Sequence, residues 1–352
     1  IGQMPEAHGF RSSFAYNNAM FVVAGTAAEA VTGKDYETLV DERILQPLGM
    51  KRSGASLATT RIDDNVATPH HFVGGVANPV PYHDVSGAAP AGSMNSTARD
   101  MSQFVRMLIG MGTVDGIQLL EPETATAIQR LRHNFTPTEL VEIQQLFSLM
   151  EHPDRVKVLG YGLGLAVMVY GDTRFVMHGG SIDGMTSWMA WSPERKIGYL
   201  CLTNASNMFL PFALMFEAIN PLLNLPPDHV AARLIGLKDA ITNPPGLVSP
   251  ANPAPPVSSA VTLAGRYSNI MGALLITQTE DGLRITTWPS GYEGDLVHHD
   301  ADVYRVKWDN PAQVGMTVRF DRHMDGTVGS LTASEIQGPK IFALAPQFDK
   351  EP

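Results

Sequence analysis

A chain of 352 residues, 44% hydrophobic and 17% charged, has the make-up of a folded protein of two domains at roughly 150 residues each, and not of a disordered one. A formal net charge of −10 with no basic run argues against nucleic acid as a partner, because phosphate contacts need clustered Lys and Arg. No apolar stretch reaches the ~20 residues of a membrane-spanning helix, so no membrane span is read in the chain. The single cysteine, Cys201, cannot close an internal disulfide and reads as a small core residue. Its solitude fits a reducing compartment and many exported proteins alike, and a periplasmic or secreted location is preferred to a cytoplasmic one.

In chain order, residues 18–31 form a long apolar helical run closed by Gly33, and Asp35 caps a second helix that Pro47 stops. Thr97 and Asp100 make a capping box ahead of a helix with Met101, Phe104, Val105 and Leu108 on one face. Pro122 suits the first position of a further helix, and Thr136-Pro137-Thr138-Glu139 repeats the capping box. Beyond Gly160 the pattern changes to short β-branched and aromatic runs at 161–169, 174–177, 186–191 and 197–202. These predict neighbouring antiparallel strands, with a helix over 209–223 packed on them. Residues 1–225 therefore read as one mixed α/β (α+β) domain. The prolines of 226–256, among them Pro226-Pro227, Pro244-Pro245 and Pro255-Pro256, predict a linker with room for a short helix near 230–240. Residues 257–352 are all-β. Runs at 273–279 and 283–288 flank Glu280-Asp281-Gly282, and runs at 317–320 and 328–331 flank Asp325-Gly326, which predicts hairpins of a small barrel or sandwich.

Two short motifs carry chemistry. Tyr16-Asn17-Asn18 is a Tyr-x-Asn, and His178-Gly179-Gly180-Ser181 stands between a strand-like run and Asp183-Gly184. With Phe10-Arg11-Ser12-Ser13-Phe14 before the first, and Glu29-Ala30-Val31-Thr32-Gly33 and Gln46-Pro47-Leu48-Gly49-Met50 after it, they resemble the second and third motifs of the penicillin-binding protein and class C β-lactamase-like serine hydrolases. Leu263-Ala264-Gly265-Arg266-Tyr267 resembles the start of the lipocalin-like tail behind many of these enzymes. The resemblance implies a β-lactamase-like (transpeptidase-like) antiparallel sheet with helices, followed by a lipocalin-like β domain. It also implies hydrolysis of a peptide, amide or ester substrate through an acyl-serine, with no metal or organic cofactor. His178 stands where other members carry the lysine of Lys-Thr-Gly, which points to the D-alanyl carboxypeptidase, D-aminopeptidase and esterase branch.

The first motif of those enzymes, Ser-x-x-Lys, supplies the nucleophile. No serine from Ile1 to Pro352 has a lysine three residues later, and the chain opens on Ile1. The expectation is that an N-terminal segment carrying Ser-x-x-Lys is missing, that this chain alone is inactive, and that Trp188, Trp191 and the helix at 209–223 are left with a large uncovered apolar surface. In the resemblance Tyr16 handles the proton, its phenol brought down from a pKa near 10 by the absent lysine. Asn18 holds that lysine or a substrate amide. Gly179 and Gly180 let a substrate backbone approach, so that the strand binds an extended acyl group by main-chain hydrogen bonds. The N–H of Ser181 supplies one oxyanion donor, and His178 lines the cleft and titrates near 6.5.

Other candidates carry less. His70-His71 and His298-His299 read as surface loops without a third metal ligand. Gly160-Tyr161-Gly162-Leu163-Gly164 reads as the beginning of a strand and not as a phosphate loop. Ser93 has no lysine at the needed offset, and Ser96-Thr97 serves as a helix cap. Two other functions stand beside hydrolysis: a non-catalytic penicillin-binding or sensor protein, and an assembly module that makes a homo-oligomer through its β tail.

Overall fold

The computed structural model describes residues 9, 11–60, 64–73, 76–136, 147, 149–206, 209–236, 250–269, 272–288, 291–310, 315–335 and 347–351. They fall into two compact units, the larger built from His8–Phe72 and Ala77–Lys238, the smaller chiefly from Asp239–Pro352.

In the larger unit, α1 (Asn18–Thr32) starts where the Asn17 side chain accepts the Met20 N–H, and it ends at Gly33 with φ +69°. Asp35 caps α2 (Tyr36–Val40), which widens into a π-helical turn, Asp41–Leu45, ahead of Pro47. There follow α3 (Leu57–Thr60), the ribbon β1 (His70–Val73) with β2 (Val76–Pro79), α4 (Ala89–Gly92) and α5 (Ala98–Ile109). Only half of the capping box expected before α5 forms. Thr97 Oγ1 accepts the Asp100 N–H at 3.1 Å, but the Asp100 carboxylate turns to the Arg52 N–H at 2.7 Å and the Ser53 hydroxyl at 2.8 Å. The ribbon β3 (Thr113–Val114) with β4 (Ile117–Gln118) leads to α6 (Pro122–Ile128), with Pro122 at its first position. The second expected box falls on residues 137–139, outside the described residues.

The core is a six-stranded antiparallel sheet in the order β10-β9-β8-β7-β6-β5: β5 (His133–Asn134), β6 (Val156–Tyr161), β7 (Ala166–Tyr170), β8 (Thr173–Ile182), β9 (Met185–Ser192) and β10 (Ile197–Thr203). The run at 161–169 is not one strand. Tyr161 closes β6, the Gly162 N–H bonds the Leu165 carbonyl at 2.8 Å, and Gly164 turns the chain at φ +79°. Alternation along β8 sends Phe175 and Met177 to one face and Val176 to the other. The first face packs under α7 (Phe209–Leu222) and α8 (Val230–Gly236), with Met168, Tyr170, Phe212 and Phe216. The second packs Val176 and Trp191 with Val105, Met107 and Leu108 of α5. Trp191 is fully buried, its Nε1–H donating to Gln129 Oε1 at 2.6 Å, and Trp188 meets Phe212 edge-on at 4.7 Å. The apolar surface expected at Trp188, Trp191 and α7 is therefore covered at Trp191 and on the sheet-facing side of α7, because each face of the sheet has its own helical layer. Exposed apolar side chains remain on α7, at Phe209, Leu214 and Leu222, and also lie on α1, at Met20, Phe21, Val23 and Val31.

The expected linker begins too early. Residues 226–236 belong to the sheet unit: Val230, Ala231 and Leu234 are buried in its core. The Asp228 carboxylate, fully buried, accepts the Glu151 N–H at 2.5 Å and stands 3.5 Å from Arg155 Nη1. Arg155 also donates to Pro226 O at 3.1 Å and to the Tyr170 hydroxyl at 3.3 Å. Pro226-Pro227 marks a corner and not the start of a spacer.

The smaller unit opens with α9 (Ala260–Leu263) and is a closed barrel of eight antiparallel strands: β11 (Gly265–Asn269), β12 (Gly272–Thr279), β13 (Gly282–Trp288), β14 (Glu293–Asp300), β15 (Val303–Trp308), β16 (Met316–Arg322), β17 (Val328–Glu335) and β18 (Gln347–Lys350). Pairing of Tyr267 with Lys350 closes it, and both expected hairpins are present. Alternate side chains, among them Leu274, Ile276, Ile285, Val318, Phe320 and Phe348, form one buried cluster. Asp302 accepts the N–H groups of Val257 and Ser258 and the Ser258 hydroxyl, and so ties the segment before α9 to the barrel. His298-His299 lies in β14 and not in a surface loop, with His299 buried where the register shifts between His298 and Asp300.

Candidate active site

The unequal lengths of β7 and β8 create an open edge. β8 pairs with β9 out to Ile182↔Met185, but with β7 only as far as Ala166↔Met177. Residues 178–182 therefore extend past the end of β7, where the turn at Gly162 and Gly164 has taken the chain away. Such an edge offers backbone N–H and C=O groups to an added strand. The two glycines there differ in surroundings. A Cβ on Gly179 would stand 2.4 Å from the Trp188 ring of β9, so the packing under α7 itself requires a glycine there. Gly180 shares the opposite face with His178 and is exposed, and a Cβ there would meet only the Ser187 hydroxyl, at 2.8 Å. Ser181 is exposed at the far end of the strand.

Tyr16 reaches this edge from the extended segment ahead of α1. Because Asn17 is the N-cap, Tyr16 leaves the helix before its first turn, and its ring stacks over His178 with centroids 6.3 Å apart at 28°. Tyr161 completes the group. Its hydroxyl lies 2.9 Å from His178 Nε2, and its ring meets Tyr16 edge-on at 6.3 Å and Phe14 at 4.9 Å. Phe14 in turn packs on Phe135 at 4.8 Å. Asn18 is exposed at the first position of α1. Sequence reasoning missed Tyr161, because Gly160-Tyr161-Gly162 was read as a strand's beginning when it is a strand's end. A tyrosine between two glycines, two strands upstream of His178, was the available signal.

Ser93 is buried, its hydroxyl donating to the carbonyls of Ala55 and Ala89, and Ser96 bonds Ser53. His70-His71 lies in β1 and not in a loop. The His70 N–H bonds the Gly184 carbonyl at 3.0 Å and the Ser206 N–H bonds the His70 carbonyl at 2.9 Å, so β1 braces the turn between β8 and β9. That turn needs Gly184, whose φ is +75° and whose Cβ would stand 2.6 Å from Pro69. Among the described residues, no group of three His, Cys, Asp or Glu could hold a metal ion.

The rings are electrostatically quiet at neutral pH. Tyr16 is 55% exposed, yet the water it loses to the neighbouring rings raises its phenol above the ordinary value. Burial, and then repulsion from Tyr16, raises Tyr161 as well. Burial lowers the pKa of His178, with its bond to the Gly179 carbonyl opposing, so the inflection expected near 6.5 moves to more acid pH. His71 is lowered in the same way, with Asp183 opposing. Both imidazoles bind a proton less readily folded than unfolded. Their contribution to stability is whole above the unfolded pKa near 6.5 and is lost as pH falls through the lower folded values. The urea midpoint of the larger unit is expected to fall between pH 8 and pH 5, less steeply in His178→Gln. A midpoint independent of pH would show that both rings charge freely in the fold.

Residues 1–220 match the Beta-lactamase family. The chain belongs to that family. "Unguisins hydrolase ungD" of Aspergillus violaceofuscus is 24% identical over 245 residues, which cover 64% of this chain and 40% of that protein. "Penicillin-binding protein 4" of Amycolatopsis lactamdurans is 23% identical over 262 residues, 73% of this chain and 60% of that one. This chain thus spans less than two thirds of either relative. Among solved structures, the octameric penicillin-binding protein homologue from Pyrococcus abyssi superposes with a TM-score of 0.52 at 18% identity, over 96% of this chain and 65% of that one. The family fold is present: a β-lactamase-like α/β unit and a C-terminal eight-stranded antiparallel barrel.

Proposed function

We propose that the larger unit carries the tyrosine and the substrate-binding strand of an acyl-transfer centre, in a serine hydrolase that acts on peptide, amide or ester bonds. The observation that carries this is the meeting of Tyr16 and His178, distant in sequence, at the open edge of β8. An extended acyl group adds to residues 178–182 as a strand, which brings its carbonyl oxygen toward the Ser181 N–H as one oxyanion donor. The nucleophile is the serine of a Ser-x-x-Lys supplied from outside these 352 residues, which contain no such motif. Its lysine is also the cation that Tyr16 needs, because a phenol raised by loss of water accepts no proton from a serine at neutral pH. Water then releases the acyl group. The exposed apolar side chains of α1, next in sequence to Tyr16, suit contact with that further segment.

A neutral His178 lacks the fixed charge that a lysine would offer to a carboxylate. That favours D-aminopeptidase- or esterase-like substrates over those anchored by a free carboxylate. The lipocalin-like barrel, its interior filled by its own side chains, is assigned to support or to homo-oligomer contacts and not to a ligand. As a test, residues 1–352 alone are given a chromogenic cephalosporin, p-nitrophenyl esters and D-aminoacyl p-nitroanilides. No turnover above solvent is expected. Turnover that survives repurification and falls in Tyr16→Phe would contradict the assignment of the nucleophile.

A further inference from the structure

Two contacts fix the proton on His178. Its Nδ1 lies 2.6 Å from the Gly179 carbonyl oxygen, which can only accept, so Nδ1 carries the hydrogen. In a neutral imidazole Nε2 is then an acceptor, and the group 2.9 Å from it, the Tyr161 hydroxyl, is the donor. The other tautomer would set the Nδ1 lone pair against the carbonyl oxygen at 2.6 Å, two acceptors in contact. We infer that Tyr161 is a positioning residue: its hydroxyl caps Nε2 of the Nδ1–H tautomer that the Gly179 carbonyl selects, and so holds the neutral ring of His178 along the open edge of β8.

The sequence builds Tyr161 for that task. It is the last residue of β6, paired with His133 on one side and Ala166 on the other, so its backbone is held across the sheet. Phe14 covers its ring, and Phe135 backs Phe14. The hydroxyl therefore has little freedom to leave His178. Its proton stays on oxygen at neutral pH, because burial raises the phenol. With Nε2 occupied, His178 is not available to take the nucleophile's proton. Proton exchange is left to Tyr16, and His178 acts by its shape and its place beside the edge. Where sequence alone treats His178 as a substitute for a lysine, the pair His178 and Tyr161 is a fixed neutral wall.

This inference rests on the proposed role of the β8 edge, but its test does not need turnover. Long-range 1H–15N spectra of uniformly labelled residues 1–352, with His178 assigned by its loss in His178→Gln, report the tautomer directly. The expected result is a protonated Nδ1 and an unprotonated, hydrogen-bonded Nε2. Tyr161→Phe keeps the ring against Phe14 and removes only the donor. It should leave Nδ1 protonated against the Gly179 carbonyl and raise the His178 titration midpoint by roughly half a unit to one unit, since the lost bond to Nε2 favoured the neutral ring. Tyr16→Phe should leave the tautomer unchanged. An Nε2–H tautomer in the unmodified chain overturns the inference whatever the variants do, and so does a Tyr161→Phe variant that folds and leaves the midpoint in place. If the tautomer is as inferred but the protein with its serine is never acylated, the positioning role stands and the hydrolase assignment falls.

Discussion

Asp228→Ala is expected to destabilise the larger unit by about 3–5 kcal/mol, because it strips the partner from a buried arginine. The Asp228 side chain has no exposure and that of Arg155 only 10%, and the carboxylate stands 3.5 Å from Arg155 Nη1 while holding the Glu151 N–H. Removal of the carboxylate leaves a charge with little water to solvate it and an N–H with no acceptor. The damage should spread, since Arg155 also reaches Tyr170, whose hydroxyl donates to Asn220 of α7. A domain of ordinary stability has about 5–15 kcal/mol to lose, so the variant should melt far below the parent. Asp228→Asn, which keeps an oxygen for Glu151, should fall between them. Urea unfolding followed by tryptophan fluorescence measures the difference. A cost under about 1 kcal/mol would mean that residues 226–236 are a spacer after all.

That segment shows where sequence reasoning loses its grip. Pro226-Pro227 is a local signal, and local signals gave the helix caps at Gly33, Asp35 and Thr97 and the hairpin at Glu280-Asp281-Gly282. Whether a proline pair begins a linker or turns a corner depends on Arg155 and Glu151, far back in the chain, and no window around Pro226 contains them. Gly179 is similar: the glycine is visible, but the Trp188 ring that requires it comes from the next strand. The Tyr16 and His178 motifs were legible because each is short and has a distinctive neighbourhood. Tyr161 was not, since its role exists only once β6 ends beside β8. The expected surface at Trp191 failed for the converse reason. Its cover, α5 and Gln129, lies within the chain.

The second large effect belongs to His178. In the protein that includes the serine, His178→Ala should slow acylation roughly 10²–10³-fold while leaving the sheet folded, if the imidazole shapes the edge on which the acyl group lies. The fold should survive because β8 is held by β9 along its whole inner side, from Val176↔Trp191 to Ile182↔Met185. Any acid inflection in the acylation rate should fall below 6.5 and vanish in the variant, in keeping with the lowered pKa of the ring. A histidine that serves only the core would behave in the opposite way, with a loss of about 1–3 kcal/mol in stability and near-normal rates in the folded fraction. Rates and melting temperatures of both proteins from pH 5 to pH 8 separate the two.

The most direct measurement is the position of the acylated serine. The protein, isolated from its native host, is treated with a fluorescent penicillin and with a fluorophosphonate, digested, and the adduct located by mass spectrometry. The predicted result is one labelled serine, followed three residues later by lysine, outside residues 1–352, with labelling slowed in Tyr16→Phe. An adduct on any serine within Ile1 to Pro352, or labelling indifferent to both Tyr16 and His178, would contradict an acyl-transfer centre at the open edge of β8.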